Sequence, residues 1–394
     1  MEIDARIDRR LRDETADRIV RDRAVLDPTA CRTDVQDRGR YVERLLDAIA
    51  PVFSGSTPPT LYVWGPKGAG KTTLTTAIVG RLNALNGDGG RAMHTTTRTA
   101  HRQLPRVVSV DLRRVSSEFT FYRRALSSLL GPEATPSNGV STETLRDRLT
   151  SRLTAKPSFV VVDHVDDPMG PPLTDVVQWL SRVESGDAWV ALGRTPPDGL
   201  NVDVERTVEL PAYRTHTLID VLGSRAEFGL APDAITREQL YAIADWAHGD
   251  AHDAIAALFS AALLAESADR DRISEADVSD GIEAVPYPSS ALHRVFALEE
   301  SRQELLYQFL SLSASQRQSV GATAGALADA DHVDLKRSTV RRMLYELADD
   351  GVLRRVEHRD PDRRYGRGRG RPPSRVEPTF PPLIFRALHS SRKS

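Results

Sequence analysis

The sequence predicts an α/β protein: a parallel sheet carrying a phosphate loop, then a helical segment, then a small α+β domain. Three observations lead there. Strand-length apolar runs alternate with amphipathic helices up to about residue 210, the pattern of a parallel sheet with crossover helices. After Pro211 the strands stop and only helical spacing continues. The last hundred residues then read as helix, helix, helix and β-pair, with strongly positive charge gathered in residues 335–394.

The first element to justify is Gly65-Pro66-Lys67-Gly68-Ala69-Gly70-Lys71-Thr72. Two glycines with four residues between them, Gly65 and Gly70, precede Lys and Thr, which is the phosphate-loop spacing. Leu61-Tyr62-Val63-Trp64 before it is apolar and β-prone, and Thr73 to Leu82 behind it has helical spacing at Leu74, Ile78 and Leu82. Glycines let backbone N–H groups close around a phosphate, and the helix N-terminus adds a favourable dipole. Lys71 is placed for the β- and γ-phosphates and the Thr72 hydroxyl for Mg²⁺. The bound groups expected are ATP or ADP with Mg²⁺, held by Gly65 to Thr73.

Asp37 to Phe53, with Tyr41, Leu45, Ile49 and Phe53 on one face, is expected to be a helix ahead of the loop. Arg106 to Leu112 is a second strand, and Phe121 to Leu130 and Thr142 to Leu153 are helices. Ser158 to Val162 is the most apolar strand and closes on Asp163. A carboxylate at that end of a strand beside a phosphate loop is the second nucleotide motif and a candidate Mg²⁺ group. Ala188 to Gly193 and Thr207 to Leu210 complete the strands. Leu218 to Phe228, Arg237 to Ala247, Asp253 to Ala265 and Ser274 to Ala284 read as a helical lid.

Composition sets the outer limits. Hydrophobic residues make up 40% of 394 positions, enough for packed cores. The longest apolar stretches are strand-length, so no membrane span is expected. Residues 1–25 alternate acids with arginine and lack an apolar signal core, so the expected compartment is the cytoplasm. Cys31 is the only cysteine, which excludes an intramolecular disulfide and a cysteine metal cluster. The net charge of −2 hides an asymmetry: Leu335 to Ser394 carries 16 Lys/Arg against 7 Asp/Glu, leaving an acidic body. Such a basic appendage points to nucleic acid. Only five of the 53 basic residues are lysine.

In the C-terminal domain Gln303 to Leu312, Ala322 to Ala330 and Leu335 to Asp350 are expected helices, and Val352 to His358 with Arg375 to Phe380 a β-pair. That is a winged helix-turn-helix. On its third helix Arg337, Arg341 and Arg342 lie away from the stripe of Val340, Met343, Leu344 and Leu347, as a groove-reading helix requires. The wing tip carries Arg363, Arg364, Arg367, Arg369 and Arg371 among glycines, a thin basic loop suited to phosphates or a minor groove. The expected partner is double-stranded DNA. The domains expected are an N-terminal extension over 1–30, a nucleotide-binding α/β domain over 31–211, a lid over 212–286 and the winged helix over 287–394.

In this order the motifs resemble the archaeal origin-recognition and cell-division-control type initiators of the AAA+ superfamily, over roughly residues 15–390. The resemblance is carried by Asp37-Arg38, Pro136-Ser137-Asn138-Gly139-Val140-Ser141, Val162-Asp163-His164-Val165-Asp166-Asp167, Leu210-Pro211-Ala212-Tyr213, Ser224-Arg225-Ala226 and Gly249-Asp250-Ala251-His252-Asp253-Ala254. It implies an ATP-binding protein acting at replication origins, whose nucleotide state positions the winged helix on duplex DNA. A replicative helicase or further initiator copies are the other partners it implies. It also implies that the insert over 118–131 touches DNA, with Arg123 and Arg124 as candidates.

Three positions depart from the family. His164 stands where a water-activating Glu usually follows the Asp. Leu192-Gly193-Arg194-Thr195 stands where an Asn or Thr senses the γ-phosphate, leaving Thr195 as the substitute. His252 stands where the lid usually supplies an arginine. With Lys71, Thr72 and Asp163 kept, the expectation is binding with weak hydrolysis, in which Lys71, Asp163 and His164 are the catalytic candidates. A nucleotide-gated transcription regulator and an active DNA-remodelling ATPase are the rival functions on the same architecture.

Overall fold

The computed structural model describes residues 18–30, 38–87, 104–131, 134–135, 139–168, 170–184, 186–287, 292–330, 335–357 and 374–393. The chain divides into two compact units. One comprises Cys31–Thr217 with His248–Ala251, and the other Met1–Ala30, Leu218–Ala247 and His252–Ser394.

A single-turn helix, α1 (Arg23–Leu26), belongs to the second of these units, and the chain enters the first through α2 (Gly39–Ala48). The expected single helix to Phe53 is broken: Pro51 cannot donate to an α-helical ladder, and Ala50–Ser54 forms a 3₁₀ segment instead. Strands β1 (Leu61–Trp64), β2 (Arg106–Asp111), β3 (Ser158–Asp163), β4 (Trp189–Gly193) and β5 (Arg206–Glu209) form one parallel sheet in the order β2-β3-β4-β1-β5. Each inner strand is buried on both faces, so its sequence reads as a continuous apolar run; β3 is buried from Ser158 to Val162.

Helix α3 (Lys71–Gly87) follows the phosphate loop. Helices α4 (Glu118–Leu130) and α5 (Thr142–Thr154) start at Ser117 and Ser141, each accepting a backbone N–H three residues on, an N-cap worth about 1 kcal/mol. Helix α6 (Leu173–Ser181) packs on the same face through Val176 and Leu180. The opposite face is covered by Leu45, Val52 and Leu74 against Val63, Val161 and Val190.

In the second unit α7 (Thr215–Gly229), α8 (Arg237–Trp246), α9 (Ala251–Ser267) and α10 (Glu275–Glu283) form the lid. Helix α9 is buried nearly all round, with nine consecutive residues from Ala254 to Ala262 inside. The segment 18–30 is strapped onto α7. Val20 bridges Leu230, Leu26 is fully buried against Gly229, and Arg225 donates to the carbonyls of Val25, Asp27 and Ala30. The strap also reaches the C-terminal helices: His293 Nε2 lies 2.9 Å from the Thr29 carbonyl and Arg392 lies 3.8 Å from Asp27.

The C-terminal part holds α11 (Leu292–Phe296), α12 (Glu300–Ser311), α13 (Val320–Ala328), α14 (Arg337–Asp349), the antiparallel pair β6 (Leu353–Glu357) and β7 (Ser374–Pro378), and α15 (Pro382–Lys393). This is the winged-helix arrangement, with α15 as an addition the sequence reading left out. Gly351, at φ +71, ends the stretch after α14. The wing tip with Arg363, Arg364, Arg367, Arg369 and Arg371 lies outside the described residues, as do Cys31, Asp37 and Pro136 to Asn138. Among the described residues no helix is long and apolar enough to cross a membrane.

Candidate nucleotide site and basic face

Parallel strands β1, β3 and β4 end together, so the loops leaving them converge on one edge of the sheet. Trp64 pairs with Gly193 and Leu192 with Asp163, which sets the phosphate loop, the acid of β3 and the turn after β4 side by side. Gly68 has φ +69, a left-handed backbone that glycine adopts freely. A Cβ there would lie 2.1 Å from Oδ1 of Asp250. Asp250 also pairs with Lys67 at 3.1 Å, so residues 248–251 form one wall of the loop.

Lys71 Nζ donates to the carbonyls of Gly65 (2.7 Å) and Pro66 (2.8 Å), holding the ammonium at the mouth of the loop. Burial, and then repulsion from Arg194, push its pKa down from 10.5 to about 8 against the pull of Asp163, Asp166 and Asp250. An anion in the loop would relieve both effects. The Thr72 hydroxyl donates to Asp163 Oδ2 at 2.7 Å. A hydroxyl and a carboxylate in contact are the hard oxygen donors that Mg²⁺ takes, together with phosphate and water. The loop and this pair therefore fit a Mg²⁺–nucleotide, with Lys71 toward its phosphates and Thr72 and Asp163 toward the ion.

His164 adopts φ +63, and its N–H donates to Asp163 Oδ1 at 2.7 Å. Its Nε2 stands 3.6 Å from Asp163 Oδ2. Burial lowers the imidazole pKa despite the opposing charge of Asp163, with Arg113 adding to the lowering. The ring is thus neutral at pH 7. Asp111 pairs in register with Asp163 and is the nearest carboxylate on the sheet. Burial would raise its pKa, but Arg113, bonded at 2.6 and 2.9 Å, outweighs this and holds it ionised and engaged.

The turn after β4 is held by Asp166, which the sequence reading did not single out. Asp166 accepts from the backbone N–H of Arg194 and from the Thr195 hydroxyl. Thr195 in turn accepts at its carbonyl from Tyr62 Oη at 2.8 Å. The Thr195 hydroxyl, expected to face a nucleotide, is spent on Asp166.

Beside the loop, Arg38, Tyr41, Pro211, Tyr213, Arg214 and His216 line a cavity of about 580 Å³, within the range of ligand pockets. Arg38 stacks 3.6 Å over the Tyr213 ring and donates to the Pro211 carbonyl. Tyr213 Oη reaches Gly70, where a Cβ would stand 2.9 Å away. These are candidates to receive a base and ribose; the sequence signal was Asp37-Arg38 and Leu210-Pro211-Ala212-Tyr213.

His252 falls in the second unit. Its Nδ1 lies 3.1 Å from Asp253 Oδ1, its ring is 6.3 Å from that of His293, and its Nε2 is buried with no hydrogen-bond partner among the described residues.

On α14 the predicted stripe of Val340, Met343, Leu344 and Leu347 is buried. Arg341 and Arg342 are exposed, and Arg342 lies 3.5 Å from Glu346. Arg337 is exposed too, and it donates to the Gly321 carbonyl at 2.8 Å and lies across Gly325 on α13. Tyr345 is flanked instead by Arg341 and Arg355, 5.8 and 5.0 Å from its ring. In the first unit Arg123 lies over Phe119. Burial, then Arg114 and Arg123, lower the pKa of Arg124, whose Nε is buried without a hydrogen-bond partner among the described residues.

The five-stranded parallel sheet, phosphate loop, acid-ended β3 and helical lid define a nucleotide-binding protein of the AAA+ type. Comparison with known proteins agrees. Residues 35–202 match the AAA ATPase domain family and residues 219–283 the Cdc6 AAA+ ATPase-type lid domain. An AAA ATPase domain followed by a Cdc6-type lid makes the chain similar to the archaeal Orc1/Cdc6 proteins. It is 28% identical to ORC1-type DNA replication protein 1 of Aeropyrum pernix over 65% of this chain and 66% of that protein, just under two thirds of the relative's length. To ORC1-type DNA replication protein 10 of Halobacterium salinarum it is 25% identical over 84% of this chain and 83% of that protein. In fold it is similar to the Aeropyrum pernix ORC1 protein in complex with DNA, with a TM-score of 0.56 and 21% identity over 95% and 97% of the two chains. It is likewise similar to Cdc6p of Pyrobaculum aerophilum, with a TM-score of 0.55 and 16% identity over 95% and 99%.

Proposed function

We propose that this protein binds ATP or ADP with Mg²⁺, binds double-stranded DNA through its winged helix, and acts in initiating or regulating DNA replication at origins. The observation that carries the reading is the Thr72–Asp163 contact beside Lys71 in a phosphate loop, in a chain whose matched relatives are ORC1-type DNA replication proteins. When bound, the Mg²⁺ ion would neutralise phosphate charge and orient the terminal phosphate.

The chain's own groups favour holding a nucleotide over cleaving it. Lys71 supplies the charge and the loop supplies N–H donors. The usual carboxylate beside Asp163 is replaced by a neutral imidazole, and Asp111 is occupied by Arg113. Nucleotide state then sets the disposition of the winged helix on DNA. Helicase loading and assembly with further copies belong to the same reading.

Mapping the protein's binding sites across its genome tests the assignment. Sites concentrated at replication starts are the expected result. Sites spread over promoters, with none at a replication start, would overturn it in favour of the transcription-regulator reading.

A further inference from the structure

We propose that residues 1–17 dock on the lid of their own chain, seating Ile3, Ile7 and Leu11 in a groove between α7 and α8. The groove belongs wholly to the second unit, so the proposal is independent of the nucleotide-binding reading.

The groove encloses about 550 Å³ over a floor of Ala226, Leu230, Ala234 and Leu240. Glu227 and Asp233 stand exposed on its rim, and Arg21 of the strap lines it. Gly223 lies inside α7 and lines the same space. A glycine within a helix costs stability relative to alanine. Nothing in the described packing demands it, because a Cβ there would meet only Leu240 Cδ1, at 3.9 Å. A glycine at such a place admits the close approach of another backbone.

The chain itself points to the occupant. The Ile19 carbonyl accepts from the Ala231 N–H, Val20 bridges Leu230 in antiparallel sense, and the Arg21 N–H donates to the Gly229 carbonyl. Followed backwards, the strap therefore runs along 229, 230 and 231 toward Pro232 to Ile235, which line the groove. Residues 1–17 lie outside the described residues and join the strap at that end. Their sequence places Ile3, Ile7 and Leu11 four residues apart, the spacing of one apolar stripe on a helix. Eight residues separate Leu11 from Ile19, a reach of up to about 26 Å. Charge agrees with this occupant. Arg6 and Arg10, three residues after Ile3 and Ile7, flank the stripe and oppose the acidic rim. Glu14 follows Leu11 by the same step and is opposite in sign to Arg21. An amphipathic segment in an apolar groove is a recurring mode of recognition.

The test is fluorescence anisotropy of a labelled peptide of residues 1–17, titrated with the full chain and with full-chain Ile7→Asp/Leu11→Asp, whose own segment cannot fill the groove. The variant should bind the peptide. The natural chain should bind it about tenfold or more weakly, because a tethered competitor is present at roughly millimolar effective concentration. Adding Gly223→Leu to the variant fills the groove from within and should abolish peptide binding. Adding Glu227→Arg on the exposed rim instead should weaken it several-fold, a check that leaves α7 untouched. Without peptide, hydrogen exchange over residues 222–240 should be faster in Ile7→Asp/Leu11→Asp than in the natural chain. A peptide that fails to bind the variant, or exchange that is equal in the two chains, would overturn the proposal. A natural chain that sediments as a dimer, with the variant a monomer, would also overturn docking within one chain and give the groove to the segment of a second copy.

Discussion

The Thr72 hydroxyl donates a 2.7 Å hydrogen bond to Oδ2 of Asp163, joining the first turn of α3 to the end of β3 across 91 positions of sequence. The hydroxyl and the carboxylate are hard oxygen donors held side by side, so the pair fits Mg²⁺ without rearranging the sheet. Asp163→Asn keeps the shape and removes the charge. In the unsubstituted protein, chelating Mg²⁺ should lower the affinity for an ATP analogue about tenfold or more, the scale of one charge-assisted contact. In Asp163→Asn the chelator should change little. An undiminished chelator effect in the variant would place the ion elsewhere.

Lys71 gives a pH dependence whose sign can be worked out. Its pKa in the folded, ligand-free protein is about 8, below the ordinary 10.5. A bound phosphate needs the ammonium form, so above about pH 8 the protein must take up a proton to bind. Apparent affinity should fall as pH rises from 8 toward 10, by up to tenfold per unit. The stability of the free protein moves the other way. Between about 8 and 10.5 the unfolded chain holds more protons, so this group's contribution to stability rises with pH and is lost as pH falls through 8. Lys71→Ala should remove binding at every pH. Binding that stays level from pH 7 to 10 would show that Lys71 does not face the phosphates.

The phosphate loop was legible because its chemistry is local: glycines, lysine and threonine act within eight consecutive positions. The same holds for Asp163, which ends an apolar strand. Asp166 was not legible. Its partners Arg194 and Thr195 are 28 and 29 residues away, and the β3–β4 register brings them together. Arg337 is on the exposed face that helical spacing gave it, but its contact with α13 was not legible: the absence of side chains at Gly321 and Gly325 lets its guanidinium lie there. Helix α15 was passed over because Pro381-Pro382 reads as a break, although proline is tolerated in a first helical turn. The helix before the loop was drawn too long because Pro51 was read through.

Turnover should be slow, and His164 explains why repair is only partial. General-base help is worth about 10²–10⁴-fold, and a neutral imidazole 3.6 Å from Asp163 is a poor replacement for a free carboxylate. His164→Glu restores the carboxylate but leaves the Thr195 hydroxyl engaged with Asp166, so that contact to a terminal phosphate is still missing. Single-turnover hydrolysis of labelled ATP should therefore rise in His164→Glu by less than the full base effect, and change only a few-fold in His164→Ala. Brisk hydrolysis by the natural protein that His164→Ala abolishes would make imidazole the base and the protein a working ATPase.

Arg225 should hold the strap of residues 18–30 on the lid. It is buried and satisfies three carbonyls at once. Arg225→Met fills the space and leaves those acceptors unpaired, at about 1–3 kcal/mol for each that stays buried. Limited proteolysis should then cut within 18–30 markedly faster than in the natural protein. An unchanged cleavage rate would mean that Val20 and Leu26 suffice.

DNA affinity separates the arginines of the winged helix by what they already touch. Arg337 is engaged with Gly321, whereas Arg341 and Arg355 flank Tyr345 and keep their guanidinium groups outward. A stacked arginine loses less freedom on meeting a phosphate, so these two should carry contacts that Arg337 does not. Each phosphate contact removed lowers the slope of log K against log salt by about 0.9. Arg341→Ala and Arg355→Ala, followed by fluorescence anisotropy on duplex DNA at several salt concentrations, should each reduce the slope by about that amount if they meet phosphate. If Arg341 meets a base edge, its loss should instead change the ranking of sequences with little effect on the slope. Arg337→Ala should leave the slope unchanged and lower thermal stability, because its work is done on α13. A loss of slope in Arg337→Ala equal to that in Arg341→Ala would mean that Arg337 releases Gly321 on the DNA, and the division drawn between these residues would fail.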